Sequence, residues 1–125
     1  MNAKPRALII EDNEDQNLVF TKALIQAGYE TESIQDGATA MKRLSEVIPD
    51  IVILDLHIPG INGGLILREI RKGPRAQHVH VIIVSADAEF AASLQAQVDI
   101  VLLKPVSFTQ LSLLASRFLD ASKTS

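Results

Sequence analysis

Four apolar runs punctuate the chain, and each stops on a residue with chemistry. Ala7-Leu8-Ile9-Ile10 stops on Glu11 and Asp12. Ile51-Val52-Ile53-Leu54 stops on Asp55, Val81-Ile82-Ile83-Val84 on Ser85, and Ile100-Val101-Leu102-Leu103 on Lys104. Unbroken apolar runs of this length suit strands buried on both faces. Helical periodicity fills the intervals. Asn13 or Asp15 can cap a helix with an apolar stripe of Phe20, Ala23, Leu24 and Ala27, the i, i+3, i+4, i+7 pattern, and Gly28 closes it. Tyr29 to Ile34 reads as a further strand, the weakest of the set. Asp36-Gly37 opens a second helix through Glu46, stopped by Pro49. The loop from Pro59 to Gly64 leads to a third helix ending near Lys72, before Gly73-Pro74. Val79 to Val84 forms the fourth strand, and a short alanine-rich helix spans about Asp87 to Gln97. After the last strand, Lys104-Pro105 makes a turn, Ser107 caps, and a final helix carries Leu111, Leu114, Ala115 and Phe118. The polar tail from Ala121 to Ser125 is expected to fray.

Five alternations of strand and helix predict an α/β fold, with a parallel sheet covered on both faces. Right-handed crossovers favour a flavodoxin-like, doubly wound, five-stranded sheet of order 2-1-3-4-5 with five helices. Strands one and three are neighbours in that order, so Glu11, Asp12 and Asp55 meet where the winding reverses. Ligands of such sheets bind outside the carboxyl ends of the strands. At 125 residues the chain is expected to be one domain, 1–125, with its core over 6–120.

Composition narrows the functional classes. The absence of cysteine excludes disulfides and thiolate metal sites. A net charge of −3 gives no reason to expect nonspecific nucleic-acid binding. The longest apolar runs fall far short of the ~20 residues of a membrane span, and residues 1–6 lack the apolar core of a signal peptide. A cytoplasmic protein is the expectation.

The strand ends supply the chemistry. Three carboxylates brought together repel one another unless a cation joins them. Hard oxygen donors with open positions suit Mg²⁺, which keeps waters and binds one or two carboxylates plus a phosphate. Asp12 and Asp55 are the expected direct ligands, Glu11 acts through water, and the His57 backbone carbonyl supplies another ligand. Neutralised in this way, Asp55 can attack phosphorus and form an acyl phosphate. It is ionised at neutral pH, so it needs positioning and charge stabilisation rather than a general base. Lys104 offers a point charge and Ser85 a hydroxyl to the phosphoryl oxygens. Ala86 is small enough to admit the group.

From Ala7 to about Leu119 the chain resembles the receiver domains of two-component response regulators. The matching pieces are Glu11-Asp12, the stretch from Asp55 to Gly63, the pair Ser85-Ala86, and Lys104-Pro105. The resemblance implies that Asp55 accepts a phosphoryl group from a histidine kinase or histidine phosphotransfer protein, with Mg²⁺ required. It also implies that phosphorylation shifts the face formed by helix four, strand five and helix five, where an output domain or partner protein would bind. It implies no enzyme acting on a separate substrate, although the domain can catalyse its own phosphorylation and dephosphorylation.

Several positions depart from that family or allow another reading. Receivers carry an aromatic residue or histidine three before the lysine, where this chain has Val101. Valine has little volume to swing, so signalling is expected to be muted or to pass through the Ser85 loop alone. His57 and Asp87 can overhang the site or be plain loop residues. Val98 stands where a glycine often precedes strand five, so helix four is expected to end differently. His78 and His80 flank Val79 and read as solvated residues rather than metal ligands. Arg68, Arg71, Lys72 and Arg75 read as complements to a helix C-terminus. Leu111, Leu113, Leu114 and Phe118 give the last helix more apolar surface than one stripe requires. A haloacid-dehalogenase-like phosphatase shares the Asp, Ser and Lys chemistry, but it carries a second aspartate where His57 stands. A flavodoxin would place its flavin phosphate against the acidic loop Glu11 to Asp15. A receiver-shaped interaction module that no longer cycles phosphate would not need every reactive position filled, as they are here.

Overall fold

In the computed structural model, which describes residues 4–73 and 76–123 with side chains through residue 119, the elements follow one another as β1 (Arg6–Ile10), α1 (Glu14–Ala27), β2 (Glu30–Ile34), α2 (Gly37–Glu46), β3 (Ile51–Asp55), β4 (His57–Ile58), β5 (Ile61–Asn62), α3 (Gly63–Ile70), β6 (His80–Ser85), α4 (Ala88–Ser93), β7 (Ile100–Leu103) and α5 (Phe108–Lys123). Five of the strands form one parallel sheet in the order β2-β1-β3-β6-β7. With β6 and β7 as its fourth and fifth strands, this is the 2-1-3-4-5 order expected from the sequence.

Alternate residues of each central strand enter two separate cores, which is why these strands are apolar throughout. Leu8, Ile10, Val52, Leu54, Val81 and Ile83 face one side, against Ala40, Ile66, Leu67, Ile70 and Ala91 from α2, α3 and α4. Ala7, Ile9, Ile51, Ile53, Ile82 and Val84 face the other, against Phe20, Ala23, Leu24, Leu111 and Ala115 from α1 and α5.

The helix boundaries follow the expected chemistry. The Asn13 side chain accepts from the Gln16 N–H, and Gly28 ends α1 in the left-handed region at φ 113°. The Asp36 side chain accepts from Thr39 N–H at the start of α2. Ser107 Oγ accepts from Gln110 N–H at the start of α5.

Other details differ from the sequence reading. The segment after Asp55 is not a plain loop: β4 and β5 make a two-residue antiparallel hairpin turned by Pro59 and Gly60, with Gly60 at φ 92°. The third helix stops at Ile70, two residues short of Lys72. The fourth helix is cut to six residues, and a 3₁₀ turn at Gln95–Gln97 follows it, ending at Val98, which packs partly buried against the core. The last helix runs to Lys123, and Thr124 and Ser125 lie outside the described residues.

Candidate functional site

Parallel strands present all their carboxyl ends on one side, and the register sets what stands there. Ile10 pairs with Leu54, so Glu11 and Asp12 leave β1 beside Asp55, the last residue of β3. Asp55 pairs with Val84, placing Ser85 one step further along β6. Ser85 pairs with Leu103, and the Lys104 N–H donates to the Ser85 carbonyl at 2.9 Å. The ammonium and the hydroxyl therefore leave from consecutive rungs of one ladder.

The side chains converge. Lys104 Nζ lies 2.9 Å from Glu11 Oε1 and 3.2 Å from Asp55 Oδ2. The other Asp55 oxygen, Oδ1, accepts from the His57 N–H at 3.0 Å. Glu11 Oε2 accepts from the Asn13 N–H at 3.1 Å. Glu11, Asp55 and Ser85 are buried, whereas Asp12 is exposed at the rim. Ser85 Oγ accepts from the Asp87 N–H at 2.9 Å.

Two buried carboxylates sharing one ammonium are electrostatically frustrated. Burial, with Asp55 close by, pushes Glu11 up to about 7 against the opposing pull of Lys104 and the Asn13 amide. Burial lowers the Lys104 ammonium, but Glu11 and Asp55 together outweigh it and leave its pKa raised. One oxygen from each of Glu11, Asp12 and Asp55 lies within 4.8 Å of the others. That spacing, an all-oxygen donor set and the excess of negative charge fit a hard divalent cation.

The sequence named the residues that gather here but missed one that builds the site. Asn17 is buried, and its Nδ2 donates to the carbonyls of Glu11 at 2.9 Å, Ile34 at 3.2 Å and Ile9 at 3.4 Å. Its Oδ1 accepts from Thr21 Oγ1. It ties α1 to the ends of β1 and β2, so the acidic pair cannot drift. A polar residue at i−3 to Phe20, within the apolar stripe of α1, was the available signal.

Other candidates lie elsewhere or behave differently. His57 and Asp87 are not independent loop residues, since His57 Nε2 stands 3.5 Å from Asp87 Oδ2. His80 is half-buried rather than fully solvated: its ring stacks on Phe118 at 4.3 Å and Nδ1 lies 3.5 Å from Asp99 Oδ1. Arg71 does not simply complement a helix end. Its guanidinium donates to the carbonyls of Ala76, Val79 and Gln97, stapling the end of α3 to the 3₁₀ turns at Ala76–His78 and Gln95–Gln97. Arg75, the last of that basic group, lies outside the described residues.

A doubly wound sheet with three acids, a hydroxyl and a lysine at its strand ends defines a phosphoryl-handling signalling fold, and comparison with known proteins gives its family. The profile described as "Response regulator receiver domain" matches residues 7–115. The chain belongs to the response regulator receiver domain family and is a receiver domain of two-component signalling. It is 30% identical over 110 residues to the phosphate regulon transcriptional regulatory protein PhoB of Rhizobium meliloti (strain 1021), covering 86% of this chain and 48% of the relative. The receiver domain of the sensor histidine kinase PA1611 from Pseudomonas aeruginosa PAO1, solved with a magnesium ion in its active-site cleft, superposes with a TM-score of 0.81 at 26% identity, covering 94% of this chain and 99% of that one. The signal receiver domain of a LuxO repressor protein from Vibrio parahaemolyticus shares the fold, with a TM-score of 0.82 at 22% identity over 98% of this chain and 95% of that one. The chain spans 48% or less of the length of the curated relatives it matches.

Proposed function

We propose that Asp55 is the phosphoacceptor of this receiver and that Glu11, Asp12, Ser85 and Lys104 serve the transfer to and from it. The observation that carries the reading is the Asp55 carboxylate itself. It is buried and ionisable, it is held on one oxygen by the Lys104 ammonium and on the other by the His57 N–H, and the Ser85 hydroxyl stands at the next strand end. An Asp55 oxygen attacks the phosphorus of a phosphohistidine. The new O–P bond forms as the P–N bond breaks, and its electron pair stays on the imidazole nitrogen, which takes a proton. Lys104 and Ser85 are suited to receive the charge on the transferred oxygens, so positioning and electrostatics rather than proton transfer supply the catalysis.

Mg²⁺ is the fitting cofactor: Asp12 and Asp55 would hold it directly, Glu11 would act through water, and the His57 backbone carbonyl would complete the set. When bound, it neutralises charge between the carboxylates and the phosphoryl oxygens. The same residues let the chain catalyse its own phosphorylation and hydrolysis, while the phosphoryl donor is a histidine kinase or phosphotransfer protein. Beside Lys104 a cleft of about 420 Å³, lined by Asp15, Gln16, Val19, Phe20, Lys104, Pro105 and Val106, offers such a donor an apolar landing place next to the acceptor. For the output partner, Leu103, Phe108 and Leu113 stand exposed on β7 and α5. Residues 1–125 act as one receiver unit in the cytoplasm; among the described residues no helix is long and apolar enough to cross a membrane.

Intact-mass measurement after treatment with acetyl phosphate and Mg²⁺ tests the assignment. One phosphoryl mass is expected on the native chain and none on Asp55→Asn. Equal labelling of both would overturn it.

A further inference from the structure

We propose that His57 is a positioning residue that closes a mechanical loop around Asp55 and holds α4 in the setting that phosphorylation releases. The inference rests on Asp55 being the phosphoacceptor and concerns how that event is read out.

The loop can be followed from group to group. It begins at Asp55 Oδ1, which accepts the His57 N–H. The His57 ring then meets α4 twice. Its Nε2 stands 3.5 Å from Asp87 Oδ2, and its ring meets the Phe90 ring in a T-shaped contact at a centroid distance of 5.8 Å and 64°. Asp87 in turn caps α4 by accepting the Phe90 N–H on Oδ1 at 3.0 Å. Its own N–H donates to Ser85 Oγ at 2.9 Å, which returns the path to the site. Both ends of the loop are groups whose bonding changes when the carboxylate becomes an acyl phosphate. Oδ1 loses negative charge and with it part of its hold on the His57 N–H. The Ser85 hydroxyl, which donates to the Asp87 carbonyl at 3.5 Å, gains a phosphoryl oxygen to donate to instead, and turning toward it loosens its hold on Asp87.

Neighbouring elements concentrate the effect on α4. Val101, on the adjacent strand, packs on the core and has no ring to move. Arg71 pins the far end of the segment through the Gln97 carbonyl. The first turn of α4 lies between these two anchors, and His57 touches both its cap and its third residue. The contact is exposed and therefore weak, as a contact that must open on each signalling cycle should be.

Amide hydrogen exchange at Phe90 and Ala91, compared between the free protein and its complex with beryllofluoride and Mg²⁺, tests the proposal on native protein, His57→Ala and Phe90→Leu. Phosphorylation of each is measured separately by intact mass. The expected result is exchange faster by about two- to tenfold in the free state of both variants, with the complexed state unchanged, so that the difference between states shrinks. Faster exchange in both states would mean that His57 only supports the fold and would overturn the proposal, as would variants matching the native protein in both. A native chain that takes no phosphoryl group would overturn the phosphoacceptor reading and this inference together. Labelling of the native chain, without the predicted change in the variants, would overturn this inference alone.

Discussion

Asn17 illustrates how one buried amide can hold reactive neighbours in place. Its donors reach carbonyls at the ends of two strands, among them the Ile34 carbonyl that also accepts the Glu11 N–H. Asn17→Ala removes this buried amide and the bonds it donates, and a loss of about 1–3 kcal/mol in urea unfolding is expected. Glu32 shows a different balance at the surface. Two hydrogen bonds from Arg43, at 2.6 and 2.8 Å, hold its carboxyl below the usual range despite the opposing effect of burial. A depressed carboxylate stabilises the fold above its unfolded value near 4.5, and that contribution is lost as pH falls through the lower folded value. Glu32→Gln should therefore flatten the acid limb of the stability profile below about pH 4.5 while leaving its shape at neutral pH alone; urea midpoints across the acid range would measure it. Because the pair is about one-third exposed, the effect is small.

Where elements meet, space decides. A Cβ at Gly63 would stand 2.7 Å from Leu56 Cα and 2.8 Å from its carbonyl oxygen, both of which are backbone. Gly63→Ala must therefore push the start of α3 off the segment that follows Asp55. We expect a loss of about 1–3 kcal/mol by thermal or urea unfolding. The sequence carried the strands and their chemical tips openly, because a strand buried on both faces is a contiguous apolar word and its last residue is easy to read. It carried less of what depends on distant segments meeting. The β4–β5 hairpin has no alternating pattern of its own and exists because Gly37 and Gly63 let α2 and α3 approach Ile61 and Leu56. Arg71 looked like one cation among four until the turns at residues 76–79 and 95–97 brought it carbonyls. His80 looked solvated until α5 laid Phe118 across it.

Across the whole molecule, the sheet separates two cores and carries the site at one rim, so binding there reports on the entire fold. A ligand that binds only the native chain stabilises it by mass action. Mg²⁺ at about tenfold over its Kd should add about 1.4 kcal/mol to unfolding, and Asp12→Ala should lose most of that gain in a thermal melt. A native melt that ignores Mg²⁺ while responding to other ions would remove the cation from the scheme. The backbone bond from Lys104 to the Ser85 carbonyl also sets the gauge of the pocket. Substitution at either residue can alter which functional group is offered, but not the width between the two anchor points. Chemistry at this rim can thus diversify by side-chain exchange while the spacing of the two strand ends stays fixed.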